Sequence, residues 1–264
     1  MIRQPINRGA RIGLGVASCV VLLIGYAWLS HRAHVENPRN KTLPNWTQFT
    51  EGWSRMASGE GGIDVAADAW ASATRLALGV GAGVLLAFIV GLAMGCFTWV
   101  EAVLLPPISF FAKIPPTAML AVYFVVFGAT SIQIYIALIA LGVFPTLAQA
   151  IAQAAQKDVD DHQLYKSYTL GASHFEVVWE VVLRQILPRI IENTRLQIGP
   201  AMVFLIAAEY ALADVGFGYT LRIQSRLQNM NIVYTYLAML AVAGLVIDWL
   251  LSTLRRRVCP WFGA

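Results

Sequence analysis

Cysteine and histidine are the residues of this 264-residue chain that could hold a metal ion or carry redox chemistry. Cys19, Cys96 and Cys259 match no metal or redox spacing, and the first two lie in apolar runs where cysteine usually packs as a small hydrophobic residue. His31 and His34 stand three residues apart and could share a metal ion, but a solvated pair at a membrane edge is the simpler interpretation. We therefore expect no metal site and no structural disulfide.

Motifs for nucleotide or hydrolytic chemistry are absent from the sequence. It contains no G-x-x-x-x-G-K-[ST], no G-x-S-x-G and no H-E-x-x-H. Gly79, Gly81 and Gly83 resemble a nucleotide loop, but they lie in an apolar run with no strand before them. Together with Gly91 and Gly95 they predict close packing of two helices through small residues. The chain is therefore not expected to be an enzyme or to bind a cofactor itself.

The composition indicates a membrane protein. The chain is 58% hydrophobic and 13% charged, whereas a soluble domain carries about 25% charged residues. The net charge of +4 is explained by the excess of Lys and Arg that membrane proteins carry on their cytoplasmic side. The lipid membrane, and not a nucleic acid, is the expected environment.

The predicted fold class is an all-α polytopic membrane protein with six transmembrane helices. Its apolar runs cover residues 12–29, 71–99, 108–127, 132–155, 194–212 and 232–254, within a transmembrane domain of residues 12–254. The first run could be a signal peptide, but it is long and lacks a small-residue cleavage site, which favours an uncleaved span. The distribution of Lys and Arg predicts that residues 1–11 and 255–264 are both cytoplasmic.

Prolines predict an irregular entry to the third span. Pro106, Pro107, Pro115 and Pro116 would bend or interrupt a helix there. Irregular backbone at membrane depth is tolerated where protein or a water-filled cavity covers it, which would place this region near a pathway or a subunit contact. A simple interfacial helix start is the alternative. Lys113 could attract an anionic substrate or contact a lipid headgroup.

Ionisable side chains inside spans cost roughly 2.5–3.5 kcal/mol each on insertion scales, so each needs a reason. Glu209 could face the pathway as a gating residue, or form an interhelical pair that anchors the bundle, with Arg75 as candidate partner. Asp248 in the sixth span is expected to be paired or hydrated. The candidate pathway or gating residues are Glu209, Lys113, Pro115, Pro116 and Arg75.

The longest polar interval on the predicted cytoplasmic side, residues 156–193, predicts two short helices. Aspartates at positions 158, 160 and 161 suit the start of the first helix, and Gly171 suits its end. Ser173 and Glu176 have capping-box spacing and start the second, which Pro188 would end or kink. The second helix carries one apolar stripe, made of Phe175, Val178, Trp179, Val182, Leu183 and Ile186.

The polar face of this second helix favours a protein partner over lipid. An interfacial helix lying on an anionic leaflet is usually rich in Lys and Arg. Here the polar face carries His174, Glu176 and Glu180, with Arg184 four residues after Glu180. A groove in another protein is therefore the predicted docking site for the 156–193 segment.

Several short stretches, in their order, resemble the permease subunits of ABC importers. Residues 114–118 (IPPTA) and 127–128 (FG) resemble their third span, and residues 170–173 (LGAS) with 182–188 (VLRQILP) resemble their cytoplasmic EAA loop. Residues 207–209 (AAE) and 216–219 (GFGY) resemble their downstream part. The nitrate, sulfonate, taurine and bicarbonate branch is the most similar, and the resemblance covers about residues 73–262.

The resemblance implies a permease of the bacterial inner membrane for a small anion or other small organic solute. It would form a homodimer, receive substrate from an external binding protein, and couple to two cytoplasmic ATPase subunits that hold ATP and Mg²⁺. The 156–193 segment would be the coupling loop. The residues that the resemblance assigns to coupling are Tyr165, Lys166, Ser167, Gly171, Ala172, Ser173, Phe175, Trp179, Leu183, Arg184, Leu187 and Pro188.

The coupling loop departs from the family pattern at two places. Tyr165, Lys166 and Ser167 stand where the family has Glu-Ala-Ala, and Arg184 stands where the first of two Leu-Pro pairs has its proline. Altered contacts with the ATPase are expected there. Two other function classes stay open: a secondary transporter that works alone, which would need paired membrane carboxylates or inverted repeats, and an intramembrane enzyme, which would need a catalytic constellation.

Overall fold

The computed structural model describes residues 7–37, 42–59, 62–128 and 132–262, and its regular elements in those ranges are all helices. The all-α prediction is confirmed for this part of the chain. The fold divides into two compact units, one made of residues 1–63 and 223–237 and the other of residues 64–222 and 238–264.

Helices of very different length follow one another along the chain. They are α1 (Arg8–Glu36), α2 (Trp46–Ser58), α3 (Val65–Cys96), α4 (Thr98–Phe111), a 3₁₀ turn (Pro116–Met119) leading into α5 (Leu120–Phe127), α6 (Ile132–Lys157), α7 (Asp161–Thr169), α8 (His174–Glu176), α9 (Leu183–Leu212), α10 (Phe217–Arg226) and α11 (Met230–Val258). A π-helical stretch, Val177–Val182, joins α8 to α9 without a break. Within the described residues, five continuous helices are long and apolar enough to cross a membrane: residues 9–36, 65–96, 132–157, 174–212 and 230–258.

The third predicted span, residues 108–127, is interrupted, as its prolines predicted. The chain there forms α4 and then the 3₁₀ turn with α5, and the two parts are bent by 81°. The break lies directly before Pro115 and Pro116, in keeping with the steric clash by which proline disfavours helical backbone angles at the residue before it. Pro106 and Pro107 instead lie inside α4. The second helix also begins earlier than predicted, at Val65, and ends at Cys96. Gly128, Ala129, Thr130 and Ser131 predict a tight turn after this span, and that turn lies mostly outside the described residues.

Small residues pack α3 against α6. Gly79, Gly83, Gly91 and Gly95 recur on one face of α3, and a Cβ atom added to any of them would lie 3.0 Å or less from an atom of α6. The nearest α6 atoms belong to Ile139, Ala140, Ala148 and Ala155. The prediction of glycine-mediated packing is confirmed at these four positions, and it is wrong at Gly81, which has nothing within 4 Å. This contact forms the centre of the larger hydrophobic core.

The 156–193 segment starts as predicted but does not end at Pro188. Asp160 caps α7, and Gly171 follows it in the left-handed conformation with φ 86°. Ser173 and Glu176 form a complete capping box. The helix then continues through Pro188 into α9, because buried Ile186 and Ile190 on either side of it pack into the core and outweigh the missing hydrogen bond.

The smaller unit is organised around aromatic rings. Tyr26 of α1 packs against Phe49 of α2 and against Tyr234, with ring centroids 6.2 and 6.3 Å apart, and its hydroxyl donates to the carbonyl of Pro44. A capping box between Asn45 and Gln48 starts α2, and Gly59 ends it. Helix α2 is therefore an amphipathic helix that is capped at both ends.

Candidate functional site

Glu209, near the end of α9, is the most completely buried charged side chain among the described residues, with no exposed area. Its two carboxylate oxygens accept hydrogen bonds from the Ser72 hydroxyl at 2.8 and 2.9 Å. The guanidinium of Arg75 lies 2.8 Å from Oε1, and the backbone N–H of Gly218 lies 2.9 Å from Oε2. The carboxylate is thus compensated by one positive charge and by neutral donors from α3 and α10.

Arg75 joins three parts of this site. Besides its ion pair with Glu209, its Nη1 donates to the carbonyl of Val215 at 2.7 Å. Its guanidinium also lies 4.3 Å from the centre of the Tyr135 ring on α6, a favourable position for a cation over an aromatic face. The side chain therefore links α3, α6, α9 and the loop that follows α9.

The loop from Ala213 to Gly216 folds back onto this pair. The backbone N–H of Gly216 donates to Asp68 at 2.8 Å, and that of Phe217 donates to the Ser72 hydroxyl at 2.9 Å. The hydroxyl of Thr220 donates to the second oxygen of Asp68 at 2.6 Å. The N–H groups at the start of α10 and the buried carboxylates of Asp68 and Glu209 thereby provide each other's hydrogen-bond partners. Buried polar groups need such partners. We call the set Asp68, Ser72, Arg75, Glu209 and the 213–220 backbone the α3–α9 polar cluster.

Both glycines of the 216–218 stretch are required by this cluster. Gly216 has φ 130°, and a Cβ added to it would lie 2.6 Å from Glu209 Oε1. A Cβ on Gly218 would lie 2.5 Å from Glu209 Cβ and 2.7 Å from the carbonyl oxygen of Ile206. The backbone can approach the buried carboxylate only because these positions carry no side chain.

The α3–α9 polar cluster can hold helices together, but it offers no nucleophile–base arrangement and no site for a metal. The described residues, 7–37, 42–59, 62–128 and 132–262, contain no group of three His, Cys, Asp or Glu side chains that could hold a metal ion. The Nδ1 of His34 lies 2.8 Å from the carbonyl of Ser30, within α1. The interhelical interpretation of Glu209 and Arg75 is the one that this geometry favours.

Sequence reasoning did not include Asp68 and Ser72 in this site. A usable signal exists, because positions 68, 72 and 75 are separated by four and three residues and share one face of a helix that is otherwise apolar. Lys113, Pro115 and Pro116 are not part of the cluster. They lie at the break between α4 and α5, where Lys113 and Pro115 are exposed and Pro116 is half-buried.

A second group of charges joins α9 to α11. Arg195 forms ion pairs with Asp248 on α11 and, at 3.1 Å, with Glu192 one turn earlier on α9. Arg255 lies 2.7 Å from the other oxygen of Glu192. Asp248 is thus paired in the structure, and we call these four residues the α9–α11 ion cluster.

The residues assigned to coupling divide into an exposed set and a packed set. The exposed set is Tyr165, Lys166, Gly171, Ser173, Phe175, Trp179 and Arg184. Ser167, Ala172, Leu183 and Leu187 are half-buried, and Pro188 is buried. The predicted apolar stripe is therefore split: its later residues pack into the protein's own core, whereas its first residues remain accessible. Leu170, which the sequence analysis did not assign to coupling, is 88% exposed at the turn between α7 and α8.

Contacts within the segment hold its shape. The Tyr168 hydroxyl lies 3.0 Å from Nδ1 of His174 across the Gly171 turn. Glu180 and Arg184 form the predicted ion pair at 2.6 Å. Gln185 is hydrogen-bonded to Gln163 of α7, so α7 is fastened to the helix that continues into α9.

The sequence is similar to those of known transport proteins. The chain is 30% identical to the taurine transport system permease protein of Escherichia coli K12, over 99% of this chain and 93% of that protein. It is 27% identical to an aliphatic sulfonates transport permease protein of Bacillus subtilis 168, over 71% of this chain and 67% of that protein.

The fold is also that of a solved importer. The structure resembles a chain of the MetNI methionine ABC transporter in an inward-facing form, with a TM-score of 0.63 at 17% identity over 72% of this chain and 94% of that one. Residues 79–259 match the family model of binding-protein-dependent transport system inner membrane components. On these grounds the chain belongs to the family of binding-protein-dependent transport system inner membrane components, the permease subunits of ABC importers.

Proposed function

We propose that this permease carries a small sulfonate or a similar small anionic solute across the bacterial inner membrane. The similarity to a taurine permease along 99% of the chain carries this proposal, and an aliphatic sulfonates permease supports the same substrate class. Substrate would be delivered by an external binding protein, in keeping with the family's description. This chain would hold no cofactor, because ATP and Mg²⁺ act on the ATPase subunits.

The residues that dock on the ATPase are, in this proposal, those that remain accessible around the Gly171 turn. Leu170 and Phe175 expose large apolar surface there, and Trp179 packs against Phe175 and Phe88 with half of its own surface exposed. Tyr165 and Lys166 on α7 are exposed as well. Aromatic and apolar anchors of this kind contribute most of the energy of protein interfaces.

The continuous helix from His174 to Leu212 supports a mechanical role for this contact. Its 39 residues span about 58 Å at 1.5 Å per residue, about twice the thickness of a hydrocarbon core. One end of the helix starts at the capping box directly after the Gly171 turn, which we call the docking turn. The other end carries Glu209. Movement of the docking turn by the ATPase would therefore reach the α3–α9 polar cluster through one rigid element and change the access of the pathway.

We further propose that two copies of this chain pair around the pathway, each with one ATPase subunit, and that both termini lie in the cytoplasm. The homodimer follows from the family resemblance. The orientation follows from the excess of Lys and Arg in the predicted inner segments.

Co-purification tests the docking proposal. We expect Gly171→Pro, Trp179→Asp and above all Leu170→Asp to reduce recovery of the ATPase at least tenfold, without loss of membrane insertion. Leu170 is the sharpest choice because its side chain has few contacts within the chain to lose. Leu227→Asp, at an exposed residue between α10 and α11, is the matched control and is expected to retain the ATPase. Unchanged recovery with Leu170→Asp would exclude this docking surface.

Reconstitution tests the transport proposal against a secondary transporter. Vesicles that hold the permease, its ATPase and binding protein should import taurine only when ATP is supplied to the ATPase side. Import by the permease alone, driven by an ion gradient, would overturn the proposal in favour of the secondary transporter.

A further inference from the structure

The segment that follows α11 forms a hydrogen-bonded turn. The N–H of Cys259 donates to the carbonyl of Arg255 at 2.9 Å, and the N–H of Phe262 donates to the carbonyl of Cys259 at 3.2 Å. The Cys259 side chain is only 1% exposed. We call Arg255–Phe262 the C-terminal turn; it is a packed feature of the larger unit.

Two contacts fasten the C-terminal turn to the coupling loop. Arg189 forms an ion pair with Asp158 at 3.1 Å, and its guanidinium lies 5.6 Å from the centre of the Phe262 ring. Arg255 lies 2.7 Å from Glu192. The turn therefore contacts the end of the 156–193 segment, at Arg189 and Glu192, and Arg189 itself pairs with Asp158 at the beginning of the segment. A ligand that holds the turn would also restrain the coupling loop through these residues.

The outward side of the turn is basic and aromatic. Arg256 and Arg257 are exposed, and neither takes part in an ion pair within the described part of the chain. Trp261, four residues after Arg257 in the chain, is 56% exposed. Arg255 is different, because Glu192 already neutralises it.

We propose that Arg256, Arg257 and Trp261 form a binding surface for anionic phospholipid headgroups, and that bound lipid holds the coupling loop in its active position. Arginine binds phosphate oxygens through paired N–H groups, and tryptophan is favoured at the level of the headgroups. A basic group directly beyond a membrane helix is attracted to the anionic cytoplasmic leaflet. The inference rests on the cytoplasmic placement of the C terminus under the proposed function.

Lipid binding is measured on the purified full-length permease, so the result does not depend on ATPase docking. The probe is phosphatidylglycerol with brominated acyl chains, which quenches nearby tryptophan fluorescence, and Trp261→Phe identifies the share of quenching that belongs to Trp261. One arginine contributes about fivefold in affinity for an anionic surface. We therefore expect a loss of about 25-fold in phosphatidylglycerol affinity for the double variant Arg256→Gln, Arg257→Gln. Arg55→Gln, an exposed position on α2, should bind as the wild type does.

Three outcomes decide the proposal. Equal affinity of the wild type for phosphatidylglycerol and phosphatidylcholine would overturn it. So would a double variant that keeps its phosphatidylglycerol affinity but fails to co-purify with the ATPase, because the surface would then face the ATPase. Support requires the affinity loss together with a regulatory effect: substrate-stimulated ATP hydrolysis by the wild-type complex should rise at least threefold when phosphatidylglycerol replaces part of the phosphatidylcholine, and the double-variant complex should not respond.

Discussion

Glu209 and Arg75 lie 134 residues apart in the chain, yet the carboxylate and the guanidinium meet at 2.8 Å in a site where Glu209 has no exposed area. The same carboxylate receives the Ser72 hydroxyl and the N–H of Gly218. Helix α9 therefore has a fixed position relative to α3 at the end farthest from the docking turn. If an ATPase moves this turn, as proposed, the movement would act against this fixed point.

Removing one partner of this pair should strongly destabilise the protein. We expect Glu209→Ala to cost about 3–5 kcal/mol, because it leaves the Arg75 charge and several donors without their acceptor. Unfolding of the purified permease in detergent by denaturant measures this cost. Glu180→Ala breaks an exposed ion pair with Arg184 and should cost at most about 1 kcal/mol.

Comparing the stabilities of Glu209→Ala and Glu180→Ala also separates the two roles considered for Glu209, the gating residue and the interhelical anchor. Equal stability of Glu209→Ala and Glu180→Ala, together with a loss of transport, would favour a gating role and count against the interhelical anchor. Arg75→Met in combination with Glu209→Ala completes a double-mutant cycle, in which the anchor predicts a coupling energy well above zero.

Alanine in place of glycine should lower the stability of the protein where the glycine is closely packed, and should not lower it where the glycine faces open space. Gly218→Ala would place a methyl group against the backbone carbonyl of Ile206, and Gly91→Ala would do so against that of Ala148. Each should lower stability by about 1–3 kcal/mol, the usual cost of overpacking. Gly81→Ala meets open space and should be neutral or stabilising by up to about 1 kcal/mol. Thermal unfolding of the three variants ranks them, and a destabilised Gly81→Ala would contradict the packing.

The α9–α11 ion cluster should tolerate exchange of its charges better than their removal. Asp248→Asn leaves Arg195 with Glu192 alone and is expected to lower stability by about 1–2 kcal/mol, within the range for hydrogen bonds to charged groups. The double variant Arg195→Asp, Asp248→Arg restores opposite charges and should regain part of this loss. Unfolding at low and high salt measures both effects, and a double variant worse than the sum of its single variants would show that orientation within the cluster is required.

The predicted orientation has a direct labelling test. In a variant without Cys19, Cys96 and Cys259, a cysteine at Ser58 should react with a membrane-impermeant maleimide on intact cells. A cysteine at Thr169 should react only after the inner membrane is opened. The reverse pattern would place the 156–193 segment outside and remove the basis for ATPase docking there.

The helical fold, the caps of the 156–193 segment and the family were predictable from the sequence because each depends on residues close together in the chain. The capping box of Ser173 and Glu176 and the Gly171 turn need only their own neighbours. The prolines also predicted the break before Pro115, whereas the continuation of the helix through Pro188 was not predictable from local rules. Proline disfavours helix at both places, and only at Pro188 do buried neighbours in the core compensate for the lost hydrogen bond.

The sequence by itself determined where apolar helices form, which polar segment separates them, and that a buried glutamate in the fifth span needs a partner. Only the tertiary structure decided which partner it has and what else joins it. Ser72, Arg75 and Gly218 meet at Glu209, and Asp68 binds the neighbouring N–H of Gly216. They come together because glycine contacts draw α3 against α6 and the helix through Pro188 carries α9 past both. The energy of a buried charge depends on the groups that surround it in three dimensions, and separation along the chain does not determine those groups.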